Sequence, residues 1–392
     1  MMSPAENAEL KSLDFLVFSD DWGEHPSSCQ HIFRHIAKNH WVLWVNTIGM
    51  RNPTLTLRDA QKVVQKVKKM THLKNSSTAV DTPNVKIVVC QPLMLPGVRW
   101  PMVRAFNTRS VTRKVRSMLD VLNFIDPIVV TTVPNAAEYP EILSGRRVLY
   151  YCVDDFSLWP GLDSNVVRDM EAKLIARSDC IIGASEALCE RFQKYGKRTH
   201  LLTHGVDIDH FSNGVEHEHK VLNAIPKPRV GFFGLIDGRM DWNLLVLLAR
   251  TLSNVNFVFA GPVDSSAGLL PHESNIHFVG AINYAELPEF VCGIDALILP
   301  YKNDDLGKVL SPLKLKEYLA TGRPILSSAV KAAEEWEDAI VIARTIYEWE
   351  HYLRIILNRG LIKKSRDVCE HLSKQSWQVK AREMLKLCRG LQ

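Results

Sequence analysis

Three polar residues recur at intervals of three along one predicted helix, and together they could bind a phosphorylated ligand. Ser311, Lys314 and Glu317 share a face near the amino end of this helix, because residues three apart lie on the same side. Free backbone amides at the helix N-terminus and Lys314 suit a diphosphate, and a carboxylate one turn deeper suits a pair of sugar hydroxyls. The alternative is a solvent-exposed ion pair, which would contribute only a few tenths of a kcal/mol.

The flanking sequence predicts that this helix connects two parallel strands. ALILP (296–300) and PILSS (324–328) are short apolar runs typical of buried strands, and the segment between them has the length of a crossover helix. Ser311 is the predicted N-cap, and Gly322 is predicted to end the helix. The loop 301–310 should therefore lie at the carboxyl end of a strand, where open α/β sheets bind their ligands.

A glycine turn in RVGFFGLIDGRMDW (229–242) is a second candidate for binding a phosphate. Gly234 follows a predicted strand and would let the backbone approach a phosphate closely. Arg239 would bring a permanent positive charge to the same place. A single glycine turn is a weak signal, so this prediction depends on its combination with the helix that carries Lys314.

Polar loops also follow predicted strands in the first half of the chain. LDFLVFSD (13–20), a loop with a helix, and WVLWVN (41–46) form a βαβ unit, and RRVLYYC (146–152) is a further strand. The candidate cleft residues in the loops after these strands are Trp22, Gly23, His25, Asp154 and Asp155. Asp154 and Asp155 could instead cap a following turn, and His25 is equally consistent with a surface histidine.

Length and composition indicate two domains without a metal site. A chain of 392 residues that is 46% hydrophobic can build two cores of ordinary size. Its eight cysteines show no CxxC or metal-ligand spacing, which favours reduced thiols in a cytoplasmic protein. No run approaches the roughly 20 apolar residues of a membrane span, and the N-terminus lacks a signal core. We therefore expect a soluble or peripheral protein.

Residues 51–120 are strongly basic. They contain 14 Lys and Arg against three Asp, a balance of +11 in a chain whose net charge is +5. Segment 58–74 has valines among its basic residues, and segment 99–116 has Trp100, Met102 and Phe106 among its own. Both patterns are typical of amphipathic helices that lie on an anionic membrane. The alternative is an ordinary solvated helix face. No nucleic-acid-binding module is present, so nucleic acid is not the expected partner.

SPLKLKEYLATGRPILSS (311–328) resembles the donor-site helix of GT-B glycosyltransferases of the retaining family 4 (group 1) type. YYCVDDFSLWPG (150–161) is similar to family sequences from cell-surface polysaccharide synthesis, and HLLTHGVDIDHF (200–211) resembles the family's interdomain junction. The resemblance implies an α/β GT-B fold, with two Rossmann-like domains facing a cleft and a final helix around Trp377 that crosses back to the N-terminal domain. The implied domains are 1–205 for the acceptor and 206–392 for the nucleotide sugar.

The resemblance also implies roles for individual residues. Glu317 would hold the donor ribose, and Arg239 matches the first of two basic residues that relatives carry after the glycine turn. In our interpretation Lys314 takes over the charge of the second, so that Arg239 and Lys314 are the catalytic cations that stabilise the leaving diphosphate. The implied donor-binding residues are Gly234, Ser311, Leu313 and Glu317. The family usually has a glutamate where this chain has Val309, and a second basic residue near Asp241, where this chain has none.

These observations predict a retaining hexosyltransferase (EC 2.4) that uses a nucleoside diphosphate sugar and needs no metal or other cofactor. Its acceptor would be a polysaccharide, a lipid-linked glycan or another glycan, and the protein would be cytoplasmic and peripheral on the inner face of the membrane. A second hypothesis is a catalytically weakened binding partner in a glycan assembly complex, because of Val309 and the missing basic residue. A nucleotide-sugar 2-epimerase is a third, although its acid/base residues have no evident counterpart.

Overall fold

A computed structural model of the chain describes residues 12–23, 27–47, 78–79, 85–97, 99–159, 162–212, 215–303, 313–359 and 366–391. Backbone contacts divide the chain into two compact units. Unit 1 comprises Met1–Thr203 and Lys380–Gln392, and unit 2 comprises His204–Val379. The predicted α/β class with two Rossmann-like domains is confirmed.

Unit 1 is built on eight strands with helices between them. The strands are β1 (Asp14–Ser19), β2 (Trp41–Asn46), β3 (Thr78–Ala79), β4 (Ile87–Cys90), β5 (Ile128–Thr131), β6 (Val148–Cys152), β7 (Cys180–Gly183) and β8 (Thr199–Leu201). The α-helices are α1 (Ser28–Ile36), α2 (Pro101–Val121), α3 (Pro140–Leu143), α4 (Ser164–Arg177) and α5 (Glu186–Gln193). Short 3-10 helices span Pro134–Glu138 and Phe156–Leu158.

The strands of unit 1 form one sheet in the order β3-β4-β2-β1-β5-β6-β7-β8. All described pairs are parallel except β3 with β4. Leu16 lies opposite Leu43 in one such pair, and both side chains are fully buried. Parallel strands covered on both faces require such continuous apolar runs, which explains why these strands could be recognised in the sequence.

Unit 2 has six strands and a similar alternation with helices. The strands are β9 (Arg229–Phe233), β10 (Asn256–Ala260), β11 (Ile276–Gly280), β12 (Ala296–Leu299), β13 (Ile325–Ser328) and β14 (Val341–Ala343). The α-helices are α6 (Ile208–Ser212), α7 (Trp242–Thr251), α8 (Leu287–Cys292), α9 (Leu313–Thr321), α10 (Lys331–Glu334), α11 (Ile346–Arg359) and α12 (Arg366–Ser373). The last helix, α13 (Trp377–Arg389), begins in unit 2, and its residues from Lys380 onward belong to unit 1. Short 3-10 helices span Lys220–Leu222, Ser265–Ala267 and Tyr284–Glu286.

The sheet of unit 2 is parallel throughout, with the order β11-β10-β9-β12-β13-β14. The strand order reverses between β9 and β12, so the carboxyl ends of these two strands mark the topological switch point at which such sheets bind ligands. The predicted crossover helix between 300 and 324 is present as α9. It ends at Thr321, and Gly322 follows with φ +67°, a conformation that glycine adopts readily.

The helix predicted within 99–116 is present as α2. Its buried stripe consists of Asn107, Val111, Thr112, Val115, Met118 and Leu119, which pack into unit 1. Trp100, Met102 and Phe106 lie outside this stripe and are 59%, 87% and 41% exposed. Segment 58–74 lies outside the described residues. Among the described helices, none has both the length and the apolar character needed to cross a bilayer.

Candidate functional site

The turn after β9 brings two glycines into close contact at the carboxyl edge of the sheet of unit 2. The Gly234 backbone has φ +134° and donates its amide to the Ala260 carbonyl at 2.8 Å. A Cβ atom on Gly261 would lie 1.8 Å from the Gly234 carbonyl oxygen, so no side chain fits there. Gly261 therefore requires glycine because the Gly234 backbone approaches it directly, and the positive φ of Gly234 also favours glycine there.

The side chain of Lys314 lies directly over this turn. A Cβ atom placed on Gly234 would be 1.7 Å from Lys314 Cε and 2.9 Å from its Nζ. The absence of a side chain at Gly234 thus makes room for a lysine from the first turn of α9. The structure thus places an ammonium group beside the half-buried backbone of Gly234 at the switch point.

Glu317 lies one turn further along α9 and is buried, with 8% of its surface exposed. Burial raises the pKa of its carboxyl to about 7, and the positive charge of Lys314 opposes part of this increase. The carboxyl therefore keeps its proton to a higher pH than an ordinary glutamate does. A carboxyl group held this way can accept hydrogen bonds from ligand hydroxyls once it is ionised.

Tyr318, which was not among the predicted site residues, fixes α9 against the end of β9. Its hydroxyl accepts a hydrogen bond from the Phe233 amide at 2.9 Å and donates to the Phe233 carbonyl at 3.2 Å. Its ring is tilted against that of Phe233 at 4.6 Å, and Phe211 stacks on Phe233 at 5.8 Å. The residue before Gly234 is thereby tied to the same helix that supplies Lys314 and Glu317.

Arg239 is held by Asp237, a partner that the sequence analysis did not identify. The guanidinium donates to both Asp237 carboxylate oxygens, at 2.6 to 2.9 Å, and it lies 5.7 Å from the centre of the Tyr301 ring. Asp237 and the Arg239 side chain are both largely buried. Arg239 is therefore fixed at the carboxyl edge, with its charge already compensated by a carboxylate.

Two predicted residues of this region lie outside the described part of the chain. These are Ser311, with its proposed capping role, and Val309. Leu313 is described as the first residue of α9 and is half-buried.

In unit 1, the loop after β1 is organised around Asp20. Its carboxylate accepts hydrogen bonds from the Ser19 and Ser27 hydroxyls and from the Gln30 amide, at 2.6, 3.0 and 2.8 Å. Ser27 is the N-cap of α1. These hydrogen bonds join the described part of the loop to the start of α1 at the carboxyl edge of the sheet.

The candidates Trp22 and Gly23 belong to this loop. The Trp22 amide donates to Asn46 at 3.0 Å, its ring packs edge-on against Trp44 at 4.8 Å, and the Gly23 amide donates to Gln30 at 3.0 Å. The candidate His25 lies outside the described residues.

The two acidic candidates after β6 have different environments. Asp155 caps the 3-10 helix that begins at Phe156, accepting from the Ser157 amide at 3.0 Å, which agrees with the capping alternative. It also forms a 2.8 Å ion pair with Arg191, which in turn contacts Glu171 at 2.7 Å. Asp154 is half-buried and accepts from the Asp155 amide at 2.8 Å. Asp155 therefore supports the loop through a buried charge network.

The predicted junction residues lie where the chain enters unit 2. His204 is its first residue and is buried. A Cβ atom on Gly205 would be 2.5 Å from the Trp377 ring, so glycine is required by packing at this position. Asp207 accepts a hydrogen bond from the His210 amide at 3.3 Å and thus binds a nearby backbone donor.

A cavity of about 620 Å³ lies at the carboxyl ends of β12, β13 and β14. Its described lining includes Tyr301, Ser328, Arg344 and Trp349, but none of Gly234, Lys314 or Glu317. The candidate site is therefore defined by contacts at the Gly234 turn and not by this cavity. In the described residues, no three His, Cys, Asp or Glu side chains are grouped in a way that could hold a metal ion.

Comparison with known proteins bears directly on this site. Residues 227–357, which include the Gly234 turn and α9, match the family model described as Glycosyl transferases group 1. The chain is 25% identical over 231 residues to a Bacillus subtilis (strain 168) protein described as a teichuronic acid biosynthesis glycosyltransferase, TuaH. This match covers 54% of the chain and 57% of the relative, so the chain spans a little over half the length of that protein.

Solved structures of low sequence identity share the fold over nearly the whole chain. Sucrose-phosphate synthase from Thermosynechococcus elongatus is 14% identical with a TM-score of 0.69, covering 97% of this chain and 99% of that one. Anabaena HepE in complex with UDP-glucose is 12% identical with a TM-score of 0.65, covering 96% and 100%. The predicted resemblance and the predicted α/β GT-B fold are confirmed.

Proposed function

Because residues 227–357 match the group 1 glycosyl transferases, we propose that the chain is a retaining glycosyltransferase that uses a nucleoside diphosphate sugar. The observation that carries this proposal is the position of Lys314 over the Gly234 backbone, with Glu317 one turn further along the same helix. This arrangement combines a cation, approachable backbone and a buried carboxyl at the switch point of a parallel sheet.

In the proposed reaction, the bond between the anomeric carbon of the sugar and the diphosphate oxygen breaks. The acceptor hydroxyl oxygen forms the new bond on the same face of the sugar, and its proton passes to the leaving diphosphate. Negative charge grows on the diphosphate as the bond breaks, so Lys314 stabilises the transition state more than the ground state. No metal is needed for this charge compensation in the proposal.

Arg239 has a conditional role in the proposed site. Its guanidinium already contacts both oxygens of Asp237, so a diphosphate must share it with that carboxylate. A guanidinium can serve two anions because it carries five donors in one plane. We therefore assign the larger share of diphosphate stabilisation to Lys314 and expect a smaller loss of turnover when Arg239 is replaced.

The acceptor and the donor base are proposed from the relatives. TuaH is described as a teichuronic acid biosynthesis enzyme, and HepE was solved with UDP-glucose. On this basis we propose a glycan or lipid-linked glycan acceptor and a uridine diphosphate sugar as the first donor to test. We further propose a cytoplasmic location, peripheral to the inner face of the membrane, through the exposed side of α2.

The exposed side of α2 supports the membrane proposal. Met102, Phe106, Arg109 and Arg113 are exposed at spacings of three or four, so they form one stripe that is apolar at its start and basic further along. Trp100 precedes this stripe and is also exposed. In the described residues, Arg109 and Arg113 form no ion pair, which leaves their charges available to anionic lipid headgroups.

Thermal shift measurements with UDP, GDP and ADP sugars test the donor proposal. A ligand at 100 times its dissociation constant should stabilise the folded protein by about 2.7 kcal/mol. Lys314→Met should abolish this stabilisation, whereas Lys220→Met, at an exposed position of unit 2, should preserve it. Stabilisation that is equal in both variants would place the nucleotide elsewhere.

Nucleotide binding alone does not separate the enzyme from a catalytically weakened binding partner. The second function is favoured by Val309 and by the absence of a second basic residue near Asp241. Donor turnover distinguishes the two, because an enzyme should release UDP from its UDP sugar, either to water or to an added glycan acceptor. Binding without release of UDP under all acceptor conditions would support the partner role.

A further inference from the structure

Lys316 is a buried lysine on α9 that the proposed reaction does not use. Only 6% of its surface is exposed. Its ammonium donates to the backbone carbonyl of His204 at 2.5 Å and to the side-chain oxygen of Gln375 at 2.9 Å. Burying an ammonium group costs free energy unless its hydrogen bonds are made. These contacts therefore restrict the positions of Lys316 and of its two acceptors, His204 and Gln375.

The two acceptors lie close to the two points at which the chain passes between the units. His204 is the first residue of unit 2, and Gln375 stands four residues before its last residue, Val379. The two segments also pair with each other. The Val206 amide donates to the Gln375 carbonyl at 2.9 Å, and the Trp377 amide donates to the Val206 carbonyl at 3.3 Å. Lys316 thus contacts two segments, 204–207 and 374–377, that backbone hydrogen bonds join to each other (the paired segments).

Lys316 and Lys314 point to different sides of α9. At about 100° per residue, Lys316 is about 200° away from Lys314 around the helix axis, so one helix presents Lys314 at the Gly234 turn and Lys316 at the paired segments. Tyr318 fixes the same helix to the Phe233 backbone. A shift of α9 along its axis would therefore disturb the Gly234 turn and the paired segments together.

We infer that Lys316 is a positioning residue that couples the nucleotide site to the two chain segments at 204–207 and 374–377. It acts through α9, by holding Lys314 and Glu317 in register with the Gly234 turn. A nucleotide that orders α9 then also orders the paired segments. The coupling is reciprocal, so ordering of the paired segments strengthens nucleotide binding by the same coupling free energy. This inference depends on the proposed function only for the identity of the ligand.

Hydrogen exchange with and without UDP tests the coupling. The reporters are the amides of Val206 and Trp377, which form the hydrogen bonds between the two segments. In the wild-type protein, UDP should slow exchange at both amides. In Lys316→Met, UDP affinity should fall roughly tenfold, the loss of about 1.4 kcal/mol, and the protection of the two amides by UDP should disappear. Lys316→Arg, which keeps the charge and donors, should recover part of both.

Two further variants make the result decisive. Lys220→Met removes the same charge from an exposed site in unit 2 and should match the wild type. Gln375→Met removes one acceptor at a half-buried position and should weaken the coupling without loss of folding. A general structural role would lower the melting temperature but leave the UDP-dependent protection intact. Retained protection in both Lys316→Met and Gln375→Met would overturn the inference.

Exchange without nucleotide separates this inference from the proposed function. Lys316→Met should accelerate exchange of the α9 amides even when no UDP is present, because the helix loses one of its anchors. If the wild-type protein binds none of UDP, GDP and ADP, the proposed function is contradicted. The positioning role is then decided by the nucleotide-free exchange alone, and unchanged α9 exchange would overturn it.

Discussion

The carboxyl group of Glu317 is the titratable side chain on which the proposed donor site most depends. Burial raises its pKa to about 7, above the usual range of a glutamate, with Lys314 opposing the increase. The ionised form is the better acceptor for two ribose hydroxyls because each oxygen can receive a hydrogen bond. The ionised Glu317 carboxylate is therefore the form that binds the ligand better and also the form that burial destabilises.

This conflict predicts opposite effects of pH on binding and on stability. UDP affinity should rise as the pH increases from about 6 to 8, as Glu317 ionises. The raised pKa stabilises the folded state below the ordinary glutamate pKa, and this contribution is lost as the pH rises through about 7. Calorimetry with UDP and melting curves across this range measure both effects.

Glu317→Gln is the matched variant for this prediction. Its amide stays neutral, so the part of the pH dependence that comes from this residue should vanish from both curves. UDP affinity at pH 8 should fall by about 1.5 to 3 kcal/mol, the usual range for hydrogen bonds to a charged group. Unchanged UDP affinity at pH 8 in this variant would remove Glu317 from the donor site.

Two buried tyrosines of unit 2, Tyr301 and Tyr318, should respond in opposite ways to the loss of their hydroxyls. Tyr301 is 2% exposed, and its hydroxyl has no hydrogen-bond partner among the described residues. Tyr318 is fully buried, and its hydroxyl bonds to both backbone groups of Phe233. An unpaired buried hydroxyl carries a desolvation cost, whereas a paired one contributes to stability.

We therefore expect Tyr301→Phe to raise the free energy of unfolding by about 1 kcal/mol and Tyr318→Phe to lower it by about 1 to 3 kcal/mol. Urea denaturation of the two variants beside the wild type measures both changes. Because each variant removes one oxygen from a buried ring, they control for each other. Equal destabilisation by both would mean that the Tyr301 hydroxyl has a partner in solution.

At the scale of elements, the site depends on the close approach of α9 to the turn after β9. Gly234 has φ +134°, where other residues are strained by about 1 to 3 kcal/mol. A Cβ atom at this position would overlap Lys314 Cε at 1.7 Å. Gly234→Ala is thus expected to displace Lys314 and to abolish UDP binding, in addition to lowering stability.

Gly145→Ala is the control for this prediction. Gly145 also has positive φ, +72°, but a Cβ atom there meets nothing within 4 Å. It should therefore show the backbone strain alone and keep UDP affinity unchanged. Calorimetry on both variants separates strain from the displacement of Lys314. If Gly234→Ala binds UDP as well as Gly145→Ala does, the turn does not contact the ligand.

The elements could be predicted from the sequence to different degrees. Apolar runs such as 41–46 and 296–300 identified buried parallel strands, because such strands are apolar on both faces. The spacing of Lys314 and Glu317 predicted that they share one face of α9, and their role in a donor site stays a proposal. The partners of Asp155 and Lys316 could not be predicted, since Arg191 and Gln375 lie 36 and 59 residues away in sequence. Only the tertiary fold brings such residues together, and no periodicity encodes it.

For the whole molecule, the charge distribution is the feature that the two folded units do not explain. A balance of +11 over residues 51–120 exceeds the net charge of the entire chain, which is +5. Part of this charge on α2 is compensated within unit 1, because Arg104 and Arg116 contact Glu138 and Glu141 at 3.8 and 2.9 Å. Ion pairs near the surface contribute little to the free energy of unfolding. In our proposal, the basic surface of α2 instead binds anionic lipid.

We predict that the protein binds vesicles containing anionic lipid through the exposed side of α2. Each basic residue near such a surface contributes about 1 kcal/mol, and Trp100, Met102 and Phe106 can insert among the headgroups. Flotation should show binding that falls as salt rises to physiological strength, where the Debye length is about 8 Å.

Replacing Trp100, Met102 and Phe106 by Ser should release the protein from the vesicles. Serine at Val121 and Ile125, which are 70% and 93% exposed, should leave it bound. Binding to neutral vesicles that equals binding to anionic ones, or binding to neither, would contradict the docking surface and favour an acceptor that is free in solution.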